Sequence, residues 1–164
     1  MRWMLLALLL FLLPAAAETT ASDWTQKPKV GWVHQLGVSL AVPGKRNKVS
    51  CDADGALHVE TEDYLIQVFA YADEAQATSK VTTLAAESEA EKAFAGLKFS
   101  QPEKYPQPKG GNAWIQEGAV GGFRFLLARV SKGKIQVVVY SIMSTGDAQD
   151  ATLALMSTLK FPER

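Results

Sequence analysis

The stretch that decides the fold is FRFLLARVSKGKIQVVVYSIM, residues 123–143. It reads as two strands joined by the tight polar turn Ser131-Lys132-Gly133-Lys134. Side chains alternate between the two faces of a strand, and here both alternating sets are apolar, so both faces ask for cover. Leaving Val138, Tyr140 and Ile142 wet would be costly, since burying one side chain of Val or Phe size contributes about 1.5–3 kcal/mol. Any part left bare is expected to be a contact site.

Two helices are available for the covering. Asp73 is a good N-cap with Gln76 three residues on, and the Ala-, Glu- and Lys-rich run to Phe94 has neither Pro nor Gly. Ala77, Val81, Leu84, Ser88 and Glu91 recur at helical spacing, and Gly96 stops the run. The stripe is thin and made of small residues, so this helix lies close to a sheet. The second helix runs from Asp147 to about Leu159, with Leu155, Met156 and Leu159 on one side. The long helix would cover one face, and the C-terminal helix, with the segment around Trp24 and Trp32, the other.

Strands are expected at Gly37–Val42, Lys48–Cys51, the ALHVETE run, YLIQVFAY (64–71), a short piece opening LKFSQPEKYPQPKGG (97–111), and AWIQEGAV (113–120). Asp52-Ala53-Asp54-Gly55 reads as a hairpin turn. The order β-β-β-β-α-β-β-β-β-α, with short turns and clustered strands, gives an α+β fold: an antiparallel β-sheet flanked by helices on both faces.

The N-terminus reads as a secretory signal peptide over 1–17: Arg2, the apolar run Trp3 to Leu13, Pro14 and the Ala15-Ala16-Ala17 cleavage pattern. The run is about half the roughly 20 residues of a membrane-spanning helix. No Cys sits at the cleavage point to take a lipid. Residues 18–23 form a polar linker, and 24–164 a single exported domain, periplasmic or secreted, with no transmembrane segment after cleavage. Of 17 basic side chains Arg2 leaves with the leader, so 16 face 17 acidic ones. That balance argues against a nucleic-acid partner. With one cysteine, Cys51, no intramolecular disulfide forms, and the thiol is either buried or pairs between chains.

The strand ending in proline, Gly37-Val38-Ser39-Leu40-Ala41-Val42-Pro43, the long helix after an early meander, and the ending Leu155-Met156-Ser157-Thr158-Leu159-Lys160-Phe161 together resemble the PsbP-like fold group. That group includes the extrinsic PsbP proteins of photosystem II, the Ran-binding Mog protein and bacterial DcrB-like proteins. The likeness spans nearly all of the mature chain. Members often carry a Trp soon after the proline, where this chain has Gly44-Lys45-Arg46. The resemblance implies a PsbP-like α/β/α sandwich with no shared active site, acting mainly through protein contacts.

Several constellations carry chemistry on paper. His58, Glu60 and Glu62 alternate along one strand about 6.6 Å apart, and imidazole with carboxylates suits zinc. Three ligands on one straight strand converge poorly, so the solvent face of an outer strand is the stronger reading. Asp52-x-Asp54-Gly55 opens like a calcium loop, but a strand intervenes before position twelve, and the hairpin reading wins. Lys45, Arg46 and Lys48 are a basic patch or simply a solvated turn. Pro102, Pro106 and Pro108 flank Tyr105, with Trp114 close behind. Stiffened backbone with aromatics suits partner binding by Tyr105, Trp114, Pro106 and Pro108, against a rigid loop packed on the sheet. His34 and His58 are the only imidazoles, and no nucleophile or phosphate-loop motif surrounds them.

The expected function is therefore a non-enzymatic binding or adaptor module, without cofactor, recognising another exported or envelope protein. The alternatives are a metal protein or enzyme at His58, Glu60 and Glu62, and a carrier of a small apolar ligand between sheet and helix.

Overall fold

A computed structural model describes residues 23–44, 47–106, 111–144 and 146–163. The signal-peptide stretch, Lys45, Arg46 and Pro108 lie outside the described residues. The chain forms strands β1 (Trp24–Lys27), β2 (Gly31–His34), β3 (Ser39–Leu40), β4 (Lys48–Cys51), β5 (Leu57–Glu60) and β6 (Tyr64–Tyr71). Helix α1 (Glu74–Ala90) and a 3-10 turn (Lys92–Phe94) follow. Then come β7 (Glu103–Tyr105), β8 (Asn112–Val120), β9 (Phe123–Lys132), β10 (Ile135–Met143) and helix α2 (Gly146–Ser157).

Seven strands make one antiparallel sheet in the order β4-β5-β6-β10-β9-β8-β7. β9 and β10 are the stretch 123–143, and they sit at its centre as the doubly apolar pattern requires. α1 lies over β6, β10 and β9, and its buried Ala77, Leu84 and Ser88 are the stripe expected from the sequence. Beneath it Phe69, Phe125, Leu127, Val138, Tyr140 and Ile142 form one core, closed at one end by Phe94. The opposite face buries Leu57, Val59, Ile66, Val68, Leu126, Val137 and Val139 under α2 and under a separate three-stranded sheet, β1-β2-β3. Helices therefore flank the sheet on both sides, and the row Val138, Tyr140, Ile142 is dry.

Local chemistry explains the joints. The Asp73 carboxylate accepts the Gln76 N–H at 2.9 Å and caps α1. Across the core interface Ser88 Oγ lies 2.6 Å from the Tyr140 hydroxyl, so the polar members of the helix stripe and sheet satisfy each other. Burial, opposed by this bond, pushes the Tyr140 hydroxyl up to about 12. At the end of the chain Thr158 Oγ1 donates to the Ala41 carbonyl and accepts the Ala41 N–H, both at 3.0 Å, and Ser39 bridges Lys160.

Four expectations are corrected. The β1–β2 hairpin was not expected as strands. The first expected strand shrinks to Ser39–Leu40 and joins the smaller sheet. α1 ends at Ala90, where Glu91 turns extended and caps the 3-10 turn. The strand expected at the start of 97–111 lies instead at Glu103–Tyr105, between Pro102 and Pro106, on the sheet edge where proline is tolerated. Residues 97–100 form no regular element and pass beside Gly118 of β8, where a Cβ would come 2.8 Å from Leu97 Cδ1. Glu89 ties this segment to α1 through the Lys98 ammonium (2.8 Å) and the Phe99 N–H (3.2 Å).

Candidate functional site

The sheet is wider than α1. Beyond the helix, β8 and β7 present a face that α1 does not fill, and the step between them is a cleft of about 390 Å³. Thr78, Val81 and Thr82 of α1 make one wall; Trp114, Gln116 and Leu127 make the floor; Pro102 stands at the rim.

Register fixes which side chains look into this cleft. Lys104, Trp114, Arg129 and Val138 stand opposite one another across β7, β8, β9 and β10. Val138 belongs to the core under α1, so Trp114 shares that face. Tyr105, Ala113, Val130 and Val137 form the neighbouring row and belong to the core on the other face. Tyr105 and Trp114 therefore point to opposite sides of the sheet and do not form one surface. Pro106 is exposed at the end of β7.

Trp114 is held rather than merely placed. The Arg129 guanidinium lies 5.1 Å from its ring centroid, donates to Thr78 Oγ1 at 2.9 Å and pairs with Glu74 at 3.1 Å. Such a cation–aromatic contact at a partly exposed site contributes about 0.5–1 kcal/mol. More important here, it fixes a half-buried indole against α1 before anything binds. The sequence offered no sign of Arg129 in this role, since its partners come from α1 and β8.

A second opening, about 550 Å³, lies at the other end of β8 near Phe99 and Gly118. Its rim is tied internally: Arg124 donates to Gln149 at 3.2 Å and Gln149 to Glu117 at 2.8 Å.

His58 is not on a solvent face. It is 4% exposed, since β5 lies inside the sheet with β4 outside it, and its Nε2 sits 2.6 Å from Asp52 Oδ2. Asp52 Oδ1 meanwhile accepts the N–H groups of Asp54 and Ala56, so the carboxylate organises the hairpin turn. Glu60 is half-buried one step along β5, and Glu62 is exposed in the bend after it. Among the described residues no group of three His, Cys, Asp or Glu side chains could hold a metal ion. His34 is also buried: its Nδ1 accepts the Leu36 N–H at 3.1 Å and its ring meets Trp24 edge-on at 4.9 Å. Cys51 is half-buried, with its Sγ 4.0 Å from the Trp24 carbonyl oxygen.

No family model matches the sequence, and no curated protein matches it. Among solved structures, cyanobacterial PsbP (CyanoP) from Synechocystis superposes with a TM-score of 0.54 at 10% identity, over 92% of this chain and 99% of that one. The fold is PsbP-like. A crystal structure from Bacteroides thetaiotaomicron gives a TM-score of 0.44 at 11% identity, over 88% of this chain and 50% of that one. Among the described residues no helix is long and apolar enough to cross a membrane.

Proposed function

We propose that this protein is an exported, non-enzymatic adaptor, periplasmic or secreted, that recognises another protein through the cleft beside α1. One observation carries the reading: a half-buried tryptophan, immobilised by Arg129, on the floor of an open step in the sheet. Tryptophan and arginine are the side chains that most often dominate binding energy at protein interfaces. An indole already fixed loses little entropy on docking. The fold shared with CyanoP agrees with this reading without assigning a partner, since function resides in sites rather than folds.

Pull-down from a periplasmic or extracellular fraction tests it, using the full chain and two single variants. Trp114→Ala is expected to lose a captured protein that Tyr105→Ala retains, because the two side chains face opposite ways. Capture of the same proteins by Trp114→Ala and wild type would end the assignment. A small apolar ligand between α1 and the sheet finds less support, because Phe94, Phe125, Tyr140 and Ile142 pack there. A mass spectrum of the native protein with a bound lipid-like mass would revive that alternative.

A further inference from the structure

The β1–β2 hairpin ends in Lys27-Pro28-Lys29-Val30-Gly31. The Val30 N–H donates to the Lys27 carbonyl at 3.2 Å, closing a turn with proline second and Lys29 third. Lys29 has φ +66°, the one non-glycine residue with positive φ among the described residues. Proline followed by positive φ is the type II pattern, and its third position normally falls to glycine or asparagine. A lysine there is strained, and residues held in strain cluster at functional sites. Next to it Val30, 50% exposed, is the large hydrophobic left exposed among the described residues. Neither Lys27 nor Lys29 forms an ion pair with a described residue.

The base of this tip is rigid. Trp24 is 2% exposed in the core and donates from Nε1 to the Gly55 carbonyl at 3.1 Å. At Gly31 a Cβ would collide with the Leu40 carbonyl oxygen, so β2 and β3 touch without slack. The hairpin thus presents two unneutralised ammonium groups and an isopropyl group in a fixed arrangement that the backbone would relax if glycine replaced Lys29.

We infer that this tip is a second docking surface, and that its partner is a protein with an acidic patch around a small apolar socket for Val30. An anionic lipid surface matches the charge but not the magnitude. Even one myristoyl chain binds membranes only marginally, and two lysines with one half-exposed valine fall short of it. The tip belongs to the small sheet, on the face opposite the Trp114 cleft, so the inference stands or falls separately from that site.

The test places a photo-reactive benzoylphenylalanine at exposed position 26 of the full chain, beside the tip and with Val30 left in place, in the source cells, and maps crosslinks by mass spectrometry. One crosslinked protein is expected, joined at a segment containing Asp or Glu. With that protein purified, Lys29→Gly should weaken binding about tenfold while the melting temperature stays equal or rises. Binding should also weaken as salt is raised. Scattered crosslinks, or a Lys29→Gly variant binding as well as wild type, would overturn the inference. So would cosedimentation of the wild-type chain with phosphatidylglycerol vesicles, which would make the occupant a lipid surface.

Discussion

On one face of the seven-stranded sheet a single Ala-rich helix does the covering; on the other, α2 shares the task with a three-stranded sheet. The core under α1 is aromatic, with Phe94 packed edge-on against both Phe123 and Phe125. The core under α2 is mostly aliphatic, with Trp24 buried in it. Small residues let α1 lie close but narrow, and the sheet outgrows it. A broad double cover seals its face except at the end of β8 beside Gln149, where the second opening lies; a narrow single one leaves a step. Half-buried Trp114 and Arg129 sit at that step.

The sharpest way to break this contrast is to remove the wedge on the sealed side. Trp24→Ala is expected to destabilise the protein by about 3–5 kcal/mol, loosening the small sheet from the large one. Chemical denaturation would measure it, and a loss below about 1 kcal/mol would mean the double cover does not depend on Trp24. On the narrow side, Ala77 is fully buried, and Ala77→Leu should cost about 1–3 kcal/mol by pushing α1 off the sheet. A neutral result would show slack that close packing forbids. Tyr140→Phe should cost about 1 kcal/mol, because Ser88 Oγ keeps its 2.7 Å bond to the Leu84 carbonyl.

The sealed side also carries a pH response. Burial holds the His34 imidazole below its ordinary 6.5, against the upward pull of Asp23. Between the folded and unfolded values the unfolded chain binds the extra proton, so stability falls as pH drops below about 6.5. His34→Asn, which keeps an acceptor for the Leu36 N–H, should flatten that part of the denaturation-midpoint curve between pH 7 and 5. An unchanged slope would assign the response elsewhere. Smallest of all is the expected stability effect of Trp114→Ala, about 1 kcal/mol or less, set against its expected loss of partner capture.

The central hairpin, the α1 stripe and the Asp73 cap were legible in the sequence because each is a local pattern. Double apolar alternation, helical spacing and a capping pair all act within a few residues. The β1–β2 hairpin was not, since Thr25, Gln26 and Lys27 are exposed and Pro28-Lys29 lacks the usual glycine signal. The placement of Tyr105 and Trp114 on opposite faces of the sheet was not legible. Tyr105 and Trp114 are neighbours in sequence, yet the Tyr105–Ala113 register sets them one step out of phase. His58 alternated like a surface residue, but its cover comes from flanking strands and from Asp52 across a turn. Register and tertiary cover are pairings between distant residues, and alternation within one strand does not encode them.

The hydroxyl of Thr158 grips Ala41 across 117 positions of chain, and Lys160 completes the edge of β3. The small sheet accordingly has no finished border until residues 158–160 have been made. A polypeptide emerging from a ribosome would hold Ser39 and Ala41 without these partners until then. Maturation of this region is therefore timed by synthesis of residues 158–160, and a product stalled or clipped before them would leave the edge of β3 unpaired.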